Sequence, residues 1–115
     1  MKINMFKKFL IVNVIFICIF ISNHSYSNEK FVVKGDTLFY NSDLAKQEID
    51  REITFLDVEE FRKILSKNDI KNIVLSSQGG IIEAAFEAAD FMIEYEVDTH
   101  ISGLGLSACY WLSLA

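Results

Sequence analysis

The chain has 115 residues, no proline, two cysteines and a formal net charge of −5, with 16 acidic against 11 basic side chains. A balance that acidic argues against a role on nucleic acid or on anionic lipid surfaces, and the length allows one small core rather than two domains. Cys109 is the only cysteine after residue 27, so no internal disulfide can supplement that core.

Lys2, Lys7 and Lys8 precede an apolar run from Phe9 to Ile21, broken only by Asn13, and polar Ser22-Asn23-His24-Ser25-Tyr26-Ser27 follows. A basic start, an apolar middle and a polar end form the layout of a secretory signal peptide, with Ser25 and Ser27 as the small residues before a cut after Ser27. The run is shorter than the roughly 20 apolar residues of a spanning helix. The expectation is therefore export, to the periplasm or outside the cell, with a membrane anchor formed by residues 9–22 as the alternative. Membrane contact is expected only through this segment, if it is left uncut. Phe16 and Ile17 before Cys18 do not make a lipoprotein cleavage site. Residues 1–27 carry three lysines and no acid, so their removal leaves residues 28–115 with a formal charge of −8.

Within 28–115, Lys30-Phe31-Val32-Val33-Lys34 and Thr37-Leu38-Phe39-Tyr40 flank Gly35-Asp36, the pattern of a hairpin with a two-residue turn. From Asn41 to Arg51 the pattern is weak, and Ile53-Thr54-Phe55-Leu56 fits either a short strand or the lead into a helix. Asp57-Val58-Glu59-Glu60 has the spacing of a capping box. Val58, Phe61, Ile64 and Leu65 then share one helical face, predicting a helix from about Val58 to Lys67. Ile70 to Leu75, bounded by Ser76-Ser77, reads as a buried central strand. Between Ile81 and Tyr95 a helix places Glu83, Glu87, Asp90 and Glu94 on one solvated stripe, and Ile82, Ala85, Phe86, Ala89 and Ile93 on the side expected to face the core. No metal site is expected, because no histidine or loop oxygens join those acids. Val97 to Ser102 alternates as a short strand. The order of helix, strand, glycine turn, helix, strand, glycine turn and helix is an α/β crossover series.

Two turns carry the chemistry. Ser76-Ser77-Gln78-Gly79-Gly80 ends one strand and Gly103-Leu104-Gly105-Leu106-Ser107-Ala108-Cys109 ends the next, so a parallel sheet brings both to its carboxyl edge. Gly79-Gly80 allows an amide to point into a cleft, and Ser107 stands where a strand turns into a helix. The catalytic reading makes Ser107 the nucleophile, the amides of Gly80 and Ala108 the oxyanion donors, and Gly79, Gly103 and Gly105 the turn glycines. The structural alternative makes Gly79-Gly80 a plain turn and Ser107 an N-cap. His100 reads as a surface or cleft-lining residue, and Cys109 as a small buried apolar one.

The order Ser-Gln-Gly-Gly, a helix, a strand, then Gly-Leu-Gly-Leu-Ser-Ala-Cys resembles the ClpP/crotonase superfamily, in particular its exported ClpP-like members, over about Ile70 to Ala115. The resemblance implies a ClpP/crotonase-like fold of ββα crossover units and a serine hydrolase or peptidase acting through an acyl-enzyme. On it, Gly80 takes the place of the glycine whose amide faces the oxyanion, Ser107 that of the nucleophile and Ala108 that of the second donor. It implies a peptide or ester substrate, no cofactor and a homo-oligomer. Ser76 and Gln78 stand where the protease has asparagine and proline, and Leu106 stands where it has a small residue. The protease's histidine and aspartate, and the lysine of the signal-peptide-peptidase branch, lie downstream of the nucleophile. The base is therefore expected outside this sequence, and the chain as given, truncated before it, is expected to be inactive. Tyr110-Trp111-Leu112-Ser113-Leu114-Ala115 is apolar with no C-cap, so residues 28–115 are expected to be the N-terminal part of a longer domain. The alternatives are a non-catalytic module that keeps the fold for partner binding or self-assembly, and acyl-thioester binding of crotonase type, which fits export poorly.

Overall fold

A computed structural model describes residues 28–115, and the reading of residues 1–27 as a signal segment lies outside the described residues. The expected hairpin is present. Strands β1 (Phe31–Lys34) and β2 (Thr37–Asn41) pair antiparallel with Phe31 opposite Tyr40, and Gly35 takes φ +60° in the turn, a conformation that a Cβ makes costly. The weakly patterned stretch after β2 contains two single turns of 3₁₀ helix, Ser42–Leu44 and Glu48–Asp50. Asn41 starts the first by accepting the Asp43 N–H on its side-chain oxygen.

Helix α1 (Phe55–Lys67) begins three residues before the predicted start. Thr54, not Asp57, is the N-cap: Thr54 Oγ1 accepts from the Asp57 N–H at 3.3 Å, and Asp57 Oδ2 accepts from the Thr54 N–H at 3.1 Å. This is a capping box in which Asp57 holds the third helical position. Local sequence allows Asp57 either place, and tertiary structure selects this one. Its buried carboxylate also receives Lys30 Nζ at 2.9 Å and the Tyr40 hydroxyl at 2.8 Å. Ile53 resolves the open segment: it forms a single parallel bridge to Gly80 while Thr54 caps the helix. Val58, Phe61 and Leu65 are buried as their spacing predicts, and the Phe61 ring meets those of Phe31 and Tyr40 at 4.7 and 4.9 Å.

Strand β3 (Asn72–Ser77) runs parallel to β2 on one side and to β4 (Asp98–Gly105) on the other, giving a mixed sheet in the order β1-β2-β3-β4. Along β3, buried residues alternate with half-buried ones. It is the central strand that its apolar run predicted, and one of its faces carries the core. On that face Leu38, Tyr40, Ile73 and Leu75 meet the helices.

Helix α2 (Ile82–Glu94) shows the expected acidic stripe in solvent, but its buried face is rotated from the predicted one. Ala84, Ala85, Ala88, Ala89 and Met92 are buried, whereas Ile82, Phe86 and Ile93 are exposed. The alanine row lets the helix backbone approach its neighbours closely, and this outweighs the greater hydrophobicity of the bulky row. Strand β4 extends past the predicted Ser102 through a register shift opposite Leu75 and Ser77, and α3 (Ala108–Ser113) follows. The described residues thus form a small mixed α/β domain of four strands and three helices in the expected crossover order. Among them no helix is long and apolar enough to cross a membrane.

The buried hydroxyl of Tyr40 gives this core a pH dependence. Burial, with the Asp57 carboxylate beside it, pushes that hydroxyl far above its ordinary value. Above a pH of about 10 the unfolded chain releases the phenolic proton while the folded chain keeps it. The stability it contributes is complete below that pH and is lost as pH rises. Urea midpoints followed from neutral to strongly alkaline pH are expected to fall above about 10, and to fall less in Tyr40→Phe.

Candidate active site

The first turn is built from the inside by hydroxyl groups. Ser77, at the end of β3, is fully buried, and its Oγ accepts from the Gly79 N–H at 3.1 Å and lies 3.2 Å from the Gly79 carbonyl oxygen. Ser42 Oγ, also fully buried, stands 2.6 Å from Ser77 Oγ. On the other side, the Ile53 N–H donates to the Gly79 carbonyl at 2.8 Å, and the Ile81 N–H donates to the Ile53 carbonyl at 2.9 Å. Outside the turn, Gln78 Nε2 donates to Asp43 Oδ1 at 3.1 Å. Gly79 and Gly80 have φ of +116° and +148°. A Cβ at Gly80 would stand 2.3 Å from the Ile53 nitrogen, so residue 80 has no room for a side chain.

Beyond β4 the Leu106 N–H donates to the Ser77 carbonyl at 3.2 Å, which ties the second turn to the first. Ser107 follows with φ 51° and ψ −121°, an exposed side chain and no capping hydrogen bond to α3. Ser107 thus holds the N-cap position that the structural alternative gave it, but without the side-chain hydrogen bond of a cap. A non-glycine residue held at that φ and ψ carries strain of roughly 1–3 kcal/mol, and a sharp strand-to-helix turn of this kind presents a nucleophile. Gly79 faces it directly: a Cβ on Gly79 would lie 2.8 Å from Ser107 Cβ and 3.2 Å from the Ala108 nitrogen. Among the described residues neither the Gly80 nor the Ala108 amide donates to an acceptor. The structure thus brings the two turns together, as the crossover order implied, but it is Gly79 that lies against Ser107 and the Ala108 amide, while the predicted Gly80 packs on Ile53.

Gly103 and Gly105 sit elsewhere than predicted, within β4 rather than in the turn after it. Gly103 has φ +87° in the irregular stretch, where a Cβ would lie 3.1 Å from Ser76 Oγ, and a Cβ on Gly105 would strike the Ile101 side chain at 2.6 Å. Both serve strand packing, which a count of glycines cannot separate from turn formation.

The described residues place no general base at Ser107. His100 is exposed, and its Nε2 pairs with Asn72 Oδ1 at 3.3 Å. His100 lies opposite Val74 in mid-sheet and its ring is engaged by Asn72, which opens β3, whereas Ser107 follows the far end of the parallel β4. Lys46 pairs with Glu29 at 3.0 Å. Lys63 and Lys67 lie on α1 and, with Asn28, Lys30 and Asp50, line an open cleft of about 970 Å³ that includes no residue of either glycine turn. Cys109 is buried, as expected, and burial pushes its thiol above the ordinary range, which removes it as a nucleophile. Among the described residues no cluster of histidine, cysteine and carboxylate suits a metal ion. Ser42 and Ser77 are the residues that sequence reasoning missed. Their pairing spans 35 positions, and no local pattern announces it. No protein-family model, curated protein or solved structure matches the chain.

Proposed function

We propose that this chain is the nucleophile-bearing part of an exported ClpP-like serine hydrolase that cuts an amide or ester bond through an acyl-enzyme on Ser107. The observation that carries the reading is the strained, solvent-facing Ser107 set against Gly79, with the unpaired amides of Gly80 and Ala108 on the two adjoining turns. Ser107 Oγ attacks the carbonyl carbon of a peptide or ester, its proton passing to a base from outside residues 28–115. The Gly80 and Ala108 amides donate to the oxyanion, and collapse expels the amine or alcohol with that proton. Water then attacks the acyl-serine and releases the acid. Loss of one oxyanion donor in such a site lowers turnover about 100- to 1,000-fold.

A second reading, a non-catalytic module that keeps this fold to bind a partner or a further copy of itself, is favoured by one observation. His100, the one histidine among the described residues, is engaged by Asn72, which opens β3 at the end away from Ser107. A fluorophosphonate applied to the protein as exported by its own cells decides between the two. Labelling is expected on the peptide that holds Ser107, and Ser107→Ala is expected to lower it about 1,000-fold or more at unchanged circular dichroism. A folded wild-type protein that takes no label excludes the hydrolase and leaves the binding module.

A further inference from the structure

We infer that Ser77, supported by Ser42, is a positioning residue that aims the Gly80 amide, an inference that rests on the hydrolase reading for its purpose but not for its geometry. The peptide unit joining Gly79 to Gly80 is planar and trans, so the Gly79 carbonyl and the Gly80 N–H point in opposite directions. Whatever fixes the carbonyl therefore fixes the amide. Two groups hold the carbonyl: the Ile53 N–H at 2.8 Å and the Ser77 hydroxyl at 3.2 Å.

One arrangement of the hydroxyl hydrogens makes all three contacts of Ser77 Oγ hydrogen bonds. Ser77 Oγ accepts the Gly79 N–H at 3.1 Å, and donation of its own hydrogen to the Gly79 carbonyl leaves the 2.6 Å contact to be made by the Ser42 hydroxyl as donor. Ser77 thus takes two hydrogen bonds and gives one, which fills a hydroxyl's capacity. Both serines are fully buried, so water does not substitute for either. The holding groups matter because glycine on both sides of a peptide leaves little intrinsic barrier to its inversion. Inversion would exchange the two sides, turning a carbonyl oxygen to where an oxyanion is to be stabilised.

Amide hydrogen exchange on the nitrogen-15-labelled full chain, read with fluorophosphonate labelling, tests this. In the wild type the Gly79 amide is expected to exchange at least about tenfold more slowly than the Gly80 amide, because Gly79 donates to Ser77 and Gly80 donates to no group among the described residues. Ser77→Ala is expected to erase that difference, to move the Gly80 resonance and to slow labelling of Ser107 about 100-fold. Ser77→Thr, which keeps the hydroxyl, is expected to restore both. A Gly79 amide that stays protected in folded Ser77→Ala overturns the inference. If Ser77→Ala does not fold, equal exchange of the two amides in the wild type does so alone. A wild type without label refutes the hydrolase reading, while the exchange pair still decides the role of Ser77.

Discussion

Replacing Asp57 by alanine is expected to lower stability by about 3–5 kcal/mol, the cost of stranding one member of a buried ion pair. The Asp57 carboxylate accepts four hydrogen bonds from three partners: both oxygens meet Lys30 Nζ, at 3.2 and 2.9 Å, and Oδ2 also accepts the Tyr40 hydroxyl and the Thr54 N–H. Its removal leaves a lysine ammonium that is 4% exposed with the Glu52 carbonyl as its one acceptor. It also leaves a buried phenol without an acceptor and opens the capping box of α1. Cavity formation is a minor part of this cost, because the larger loss is of acceptors for donors that stay behind. A domain of this size has about 5–10 kcal/mol in all, so much of the population unfolds on warming. Lys30→Met should cost less, since the carboxylate keeps Tyr40 and Thr54 as donors. Urea midpoints with unchanged slopes measure both, and Asp57→Ala standing within about 1 kcal/mol of the wild type would show the network to be dispensable.

That network also marks where sequence reasoning loses its grip. Periodicity found α1, because Val58, Phe61 and Leu65 recur at helical spacing, but it placed the cap at Asp57. A threonine and an aspartate three positions apart offer the same motif as an aspartate and a glutamate. Lys30, just before β1, and Tyr40, in β2, break the tie from segments that precede the helix. The same limit applies to α2. Hydropathy ranks Ile82, Phe86 and Ile93 above alanine, whereas the packing of α2 against α1 and α3 favours the thin row, and no local property reports how close two helices will come. The hairpin was legible because Gly35-Asp36 determines it over two residues. The candidate site was legible in part for the same reason: Gly79-Gly80 and Ser107 follow successive strands, and parallel topology alone makes them neighbours. The positive φ of Ser107 and the Ser42–Ser77 pair were not legible. One is a backbone conformation held where two turns meet, and the other joins segments 35 residues apart.

Gly80→Ala is expected to damage fold and site together. The new methyl carbon would stand 2.3 Å from the Ile53 nitrogen, 2.5 Å from its carbonyl oxygen and 2.9 Å from its Cα, all backbone atoms that no rotamer change can clear. The φ of +148° is itself a conformation that L side chains rarely adopt. The strap joining Ile53 to Gly79 and Ile81 must therefore give way, and Thr54, the N-cap of α1, is the next residue along it. We expect a loss of about 3 kcal/mol or more, from strain and from hydrogen bonds left open. Gly35→Ala supplies the comparison: at φ +60° with nothing within 4 Å of its Cβ, it should cost about 1–2 kcal/mol from backbone conformation alone. Labelling of Ser107 separates the two variants further. Gly35 lies in the β1–β2 turn, at the end of β2 opposite the site, so its variant should label at the wild-type rate. Gly80→Ala should lose label even at temperatures where circular dichroism reports a folded chain, because the clash with Ile53 displaces the amide that the hydrolase reading makes an oxyanion donor. Equal unfolding midpoints for the two variants would mean that the Ile53–Gly80 bridge bears no strain, and undiminished labelling of Gly80→Ala would remove that amide from the oxyanion site.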